Sequence, residues 1–167
     1  MTAQEMTYGE DYKFIPATSL RSGEGTEVRP DVFAYTIQIA NIGLVGDPQS
    51  GTYVLIDAGM PKSGDDVHKG IEKLFGGVRP PSAIILTHGH FDHVGSLIEL
   101  VQEWNVPVYA HTLELPYLTG QEDYPKPDPT VEGGLVAQMS IIFPHEAINL
   151  GSRVRPLPQD GPAPDRT

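Results

Sequence analysis

The stretch Ser82–Ala110, "SAIILTHGHFDHVGSLIELVQEWNVPVYA", constrains the fold more than any other part of the chain. Ser82–Thr87 is a short continuous apolar run, the pattern of a buried strand. Val94, Leu97, Ile98, Val101 and Trp104 recur at helical spacing and predict an amphipathic helix. Val106–Ala110 is a second apolar run of strand length. Strand, helix and strand in that order form a βαβ unit, so the two strands are predicted to lie parallel. The loop between the first strand and the helix carries His88, His90, Asp92 and His93. Strand ends that face such a loop are where α/β proteins place their chemistry, because the loop can turn several side chains toward one point.

The flanking sequence extends this α/β reading. "VFAYTIQIANIGLVG" is rich in β-branched and aromatic residues, Gly46–Gly51 is a turn by composition, and "TYVLIDAG" reads as a further strand. Phe33–Val45 and Thr52–Ile56 are therefore predicted to pair as a hairpin-like unit, with Asp57 and Gly59 at its carboxyl end. "SGDDVHKGIEKLF" predicts a helix with Ser63 as N-cap and Asp65 and Asp66 near the favourable end of the dipole. Its apolar face is Val67, Ile71, Leu74 and Phe75. Residues 1–30 are polar and show no clear period. Thr119–Thr130 holds three prolines at alternate positions and reads as a loop over a site. Residues 135–143 fit helix or strand equally, residues 147–161 a strand or two with turns, and residues 162–167 a disordered tail. The whole chain, 1–167, reads as a single domain.

Composition narrows the chemistry. No cysteine is present, so disulfides and thiolate ligands are excluded. A metal would have to sit on imidazole and carboxylate, which suits zinc, iron or manganese. Four donors within His88–His93 exceed what one ion takes from so short a loop; His88 with His90, and Asp92 with His93, would serve two adjacent ions. The alternative reading is a surface histidine cluster, or histidines capping the helix. The net charge of −11 argues against nucleic acid or an anionic membrane as the main partner and leaves a small-molecule substrate open. No apolar run approaches the ~18 residues of a membrane span, and the first residues lack a signal-peptide pattern. A cytoplasmic protein is expected.

"THGHFDHVGS" resembles the signature of the metallo-β-lactamase superfamily, and "VLIDAGMP" resembles that family's earlier strand ending in Asp-x-Gly. The order of elements is also similar, over roughly Val32 to Gly161. The resemblance implies a metallo-β-lactamase-like αβ/βα sandwich, of which this chain would hold the N-terminal half to two-thirds. It implies one or two zinc ions, or iron or manganese, with His88 and His90 on the first and Asp92 and His93 on the second. It further implies a lactonase-like or glyoxalase II-like hydrolase in which metal-bound hydroxide attacks an ester, lactone, thioester or amide carbonyl. Asp92 would pass the proton to the leaving group, and Asp57 would orient a ligand histidine by accepting its other N–H. For Asp57 the alternative is a helix or turn cap.

The family pattern continues with a third histidine in a Gly-His-Thr-Pro-Gly-His stretch, a bridging aspartate and a last histidine. None of those contexts occurs in this sequence. His111 and His145 read as loop histidines and His68 as a structural or exposed helix residue, while Tyr117 and Tyr124 are candidates to shape a pocket. Two protein ligands per ion imply weak metal binding. An incomplete sandwich implies an exposed sheet face and hence a homo-oligomer, a dimer, or marginal stability. The second functional reading is a non-catalytic remnant that binds metal weakly or acts only through association.

Overall fold

The structure, a computed structural model, describes residues 5–12, 19–47, 49–126, 128 and 142–158. Its described strands form one seven-stranded sheet whose spatial order equals the order in the chain. β1 (Gly25–Arg29), β2 (Val32–Ile37), β3 (Ala40–Asp47) and β4 (Thr52–Ile56) make an antiparallel meander. β5 (Ile84–Leu86), β6 (Val108–Ala110) and β7 (Val154–Pro156) then add in parallel. The predicted βαβ unit is present, and Ile84–Leu86 and Val108–Ala110 pair in register.

Alternation decides which face is buried. Phe33, Tyr35 and Ile37 on β2, Ile42 and Leu44 on β3, and Tyr53 and Leu55 on β4 all point into one core. Ile84, Leu86, Val108 and Ala110 continue that face across the parallel strands. α1 (Gly64–Phe75) adds Val67 and Ile71 to it, with Leu74 and Phe75 at its margin. α3 (Leu97–Trp104) adds Leu97, Leu100, Val101 and Trp104. The opposite face is also apolar, through Val32, Ala34, Val54, Ile56, Ile85 and Tyr109. There the side chains are only half-buried, and Val45 is exposed.

Three local expectations need correction. Phe33–Val45 is two strands, because the chain reverses at Gln38–Ile39 and Ile37 pairs with Ala40. Gln38 takes a left-handed φ of 55°, and its N–H is held by Ser22 Oγ at 2.9 Å. No glycine or asparagine marks this turn, so tertiary support replaces turn chemistry. The helix expected over Val94–Trp104 is split into α2 (Phe91–Val94) and α3. The amides of Gly95 and Ser96 leave the helical ladder and bond the carbonyls of Gly59 and Ala58. Residues 1–30 include a strand, β1, and Thr7 forms a bridge with Asn149.

Ser63 does stand at the N-cap of α1, yet its hydroxyl donates to Met60 O at 2.6 Å instead of capping an amide. Thr119–Thr130 carries neither helix nor strand at its described positions, apart from a bridge at Thr119. Residues 135–141 and 162–167 lie outside the described residues. Among the described residues, no helix is long and apolar enough to cross a membrane.

Candidate metal centre

Two loops meet at the carboxyl ends of β4 and β5. After β4 the chain turns sharply through Asp57 (φ 62°) and Gly59 (φ 66°). Aspartate is among the few non-glycine residues that occupy this region readily. The Ala58 amide bonds His93 O at 2.7 Å, and the Gly95 amide bonds Gly59 O at 2.8 Å. The histidine loop is thereby strapped to the Asp57 turn. Phe91, buried against Ala40 and Met60, pins the start of α2 from below. His90 stands at the N-cap position of that short helix, in extended conformation.

This framework brings His88, His90, Asp92, His93 and Asp57 together. The rings of His88 and His90 have centroids 4.7 Å apart, and those of His88 and His93 4.0 Å. Asp57 is 3% exposed and accepts three hydrogen bonds. Thr87 N–H donates to Oδ1 at 2.8 Å, Thr87 Oγ1 to Oδ2 at 2.7 Å, and His93 Nδ1 to Oδ2 at 2.8 Å. Because an ionised carboxylate only accepts, His93 must carry its proton on Nδ1. Its Nε2 then faces Asp92 Oδ2 at 3.6 Å. The Thr87 hydroxyl has spent its proton on Asp57, so at His88 Nδ1, 3.0 Å away, it accepts. One buried carboxylate thus sets the tautomers of two histidines and leaves Nε2 of His88 free.

Electrostatics follow the same geometry. Burial, then the neighbouring His93, pushes the His88 pKa below its ordinary value. Burial and then His88 do the same to His90. Both rings are neutral at pH 7, the form that ligates metal. For His93 burial also pulls downward, but the Asp57 hydrogen bond and the charges of Asp92 and Asp57 outweigh it and the pKa is raised.

Imidazole and carboxylate are the donor types that suit a borderline divalent ion. Two donors each ~2.1 Å from one tetrahedral ion stand about 3.4 Å apart, close to the His93–Asp92 spacing. Among the described residues, no group of three or more His, Asp or Glu donors is arranged to hold an ion.

The other histidines are held by other partners, although His145 lines a small cavity together with His90. His68 Nε2 lies 3.2 Å from Glu103, with its ring against Trp104. His111 Nδ1 accepts the Leu113 amide at a 3-10 turn. His145 Nδ1 pairs with Asp11 at 3.0 Å. The sequence reading missed Thr87 and Glu114. Only the adjacency of Thr87 to the motif hinted at a role, and Glu114 reaches Gly89 from 25 residues away.

A sequence model of the metallo-beta-lactamase superfamily matches residues 35–166. "Probable metallo-hydrolase YflN" of Bacillus subtilis (strain 168) is 46% identical over 152 residues, which is 90% of this chain and 58% of that protein. "Probable metallo-hydrolase YybB" of the same organism is 39% identical over 74 residues, 38% of this chain and 34% of that protein. The chain therefore spans little more than half the length of the first relative. In fold it is similar to MEM-A1, a subclass B3 metallo-beta-lactamase from a soil metagenome library. The TM-score is 0.57 at 24% identity, over 81% of this chain and 46% of that one. A B3 metallo-beta-lactamase with an active-site glutamic acid gives a TM-score of 0.59 at 18% identity, over 89% of this chain and 52% of that one. These two are likenesses of fold alone. The family match covers the histidine loop and the sheet from Tyr35 onward, and on it this chain belongs to the metallo-beta-lactamase superfamily of metallo-hydrolases.

Proposed function

We propose that this chain carries the metal-binding half of a hydrolase acting on an ester, lactone, thioester or amide carbonyl of a small molecule. The observation that supports it most is the Asp57–His93 bond, which sets a half-buried imidazole with Nε2 directed at Asp92 beside two neutral histidines. In this reading His88 and His90 hold one ion, and Asp92 and His93 the other. Zinc, or iron or manganese in its place, supplies a water-derived nucleophile near neutral pH and polarises the carbonyl oxygen. Asp57 keeps His93 in the ligating tautomer and orientation. Thr87 relays that constraint to His88. Asp92, only partly buried, takes up a proton and hands it to the leaving group.

Metal content and turnover test this together. After equilibration with zinc and desalting, elemental analysis is expected to find bound zinc. A generic lactone or thioester is expected to be hydrolysed in a chelator-sensitive way, and Asp92→Asn is expected to lose at least ~100-fold in rate. Zinc-free protein with no turnover would favour a non-catalytic remnant.

We also propose self-association. The face that carries Val32, Ala34, Val54, Ile56, Ile85 and Tyr109, all half-buried, offers apolar side chains that a second copy would cover. Sedimentation velocity is expected to show a dimer that Val54→Lys dissociates. A monomer at all concentrations overturns this.

A further inference from the structure

Two side chains from elements distant in sequence converge on one backbone amide of the histidine loop. Gly89 lies between His88 and His90. Its N–H donates to the Tyr124 hydroxyl at 2.7 Å and, more weakly, to Glu114 Oε2 at 3.3 Å. The Tyr124 hydroxyl in turn donates to Glu114 Oε2. Glu114 closes the 3-10 turn Thr112–Glu114 that follows β6. Tyr124 lies beyond α4 (Leu115–Leu118), with its own amide fixed on His145 O at 3.0 Å. Its ring stacks on Tyr117 at 4.2 Å and 14°, and rests against His90 at 4.3 Å. A Cβ at position 89 would stand 2.9 Å from Leu118 Cδ2 and 3.0 Å from the Tyr124 hydroxyl, so any larger residue would press on both side chains.

Glycine is also the most permissive hinge the loop could place between two ligands. Left unrestrained, the peptide would have to be ordered when an ion binds, and that ordering subtracts from affinity. We propose that Glu114 and Tyr124 are positioning residues that lock the peptide between His88 and His90, holding both imidazoles in register before the ion arrives. Glu114 fixes the rotation of the tyrosine O–H, which turns the oxygen lone pairs toward Gly89. Tyr124 supplies the direct contact and presses on the face of His90. The inference rests on the reading of His88 and His90 as ligands.

The test uses the full chain, with cobalt as probe in chelator competition, its visible bands, and exchange of the Gly89 amide in metal-free protein. Tyr124→Phe is expected to weaken cobalt binding by about tenfold, shift the bands and speed Gly89 exchange, at a wild-type unfolding temperature without metal. Glu114→Ala is expected to follow it. Glu114→Gln, whose amide oxygen still accepts from Tyr124, is expected to restore most of the affinity. Wild-type affinity, bands and exchange in both Tyr124→Phe and Glu114→Ala overturn the proposal, as does an affinity loss matched by an equal loss of metal-free stability. His90→Ala separates the two levels. If it alone loses cobalt, the positioning role fails and the ligand assignment stands; if it binds as wild type does, the ligand assignment itself fails.

Discussion

Asp57→Asn is expected to lower zinc affinity by about 10- to 100-fold while the chain stays folded. Asparagine tolerates the left-handed backbone at position 57, so the substitution isolates the carboxylate from the turn. Its oxygen can still accept the Thr87 amide. Its NH2 group then faces Thr87 Oγ1 and His93 Nδ1, where the carboxylate had accepted both. The relief available is a tautomer change at His93 that moves the ring proton to Nε2, and a protonated Nε2 cannot ligate.

The same substitution has a signed pH effect on the metal-free chain. The folded pKa of His93 is raised, so its pairing with Asp57 stabilises the fold fully below the ordinary histidine value of 6.5. That contribution is lost as the pH rises through the folded value. The stability penalty of Asp57→Asn, read by thermal unfolding without metal, should therefore be larger near pH ~5.5 than near pH ~8. Equal penalties at both, with unchanged zinc affinity, would sink the idea that Asp57 sets His93.

Gly95→Ala is expected to cost about 3 kcal/mol, at the upper end for overpacking. Gly95 sits where the helix break presses against the Asp57 loop. A Cβ there would lie 2.1 Å from Met60 C, 2.2 Å from Pro61 N and 2.5 Å from Gly59 O. All three are backbone atoms, which cannot rotate aside as a side chain can. The strap from Gly95 N–H to Gly59 O would have to lengthen, carrying His93 away from Asp57. The unfolding temperature should fall by roughly 6–12 °C. Gly77→Ala, with nothing within 4 Å of its Cβ, serves as the control and should leave it unchanged. A tolerated Gly95→Ala would mean that the two loops are not packed as described.

The parts legible in the sequence are those written in local pattern. Ile84–Leu86 announces itself by an unbroken apolar run, and Val67, Ile71, Leu74 and Phe75 by helical spacing. The histidine loop is dense enough in ligating residues to be recognised without neighbours. What escaped was decided by contacts across long separations. The reversal at Gln38 is supported by Ser22, sixteen residues earlier. The break between α2 and α3 exists because Gly95 and Ser96 prefer the carbonyls of Gly59 and Ala58 to their own helix. Ser63 is a good N-cap by type, yet a carbonyl at Met60 claims its hydroxyl first. Thr87 is one polar residue among many until folding sets Asp57 beside it. The position of Asp57 after a strand could be read from the sequence, but its three-way acceptance could not.

Because strand order in space equals order in the chain, every pairing in the sheet closes only the segment between consecutive strands. The amino-terminal brace is the exception. Thr7 must wait for Asn149 before its bridge can form, and Tyr8, which grips Gly95 O and the Ile98 amide, belongs to the same segment. That bridge closes across more than a hundred residues, a longer loop than any pairing of neighbouring strands has to close.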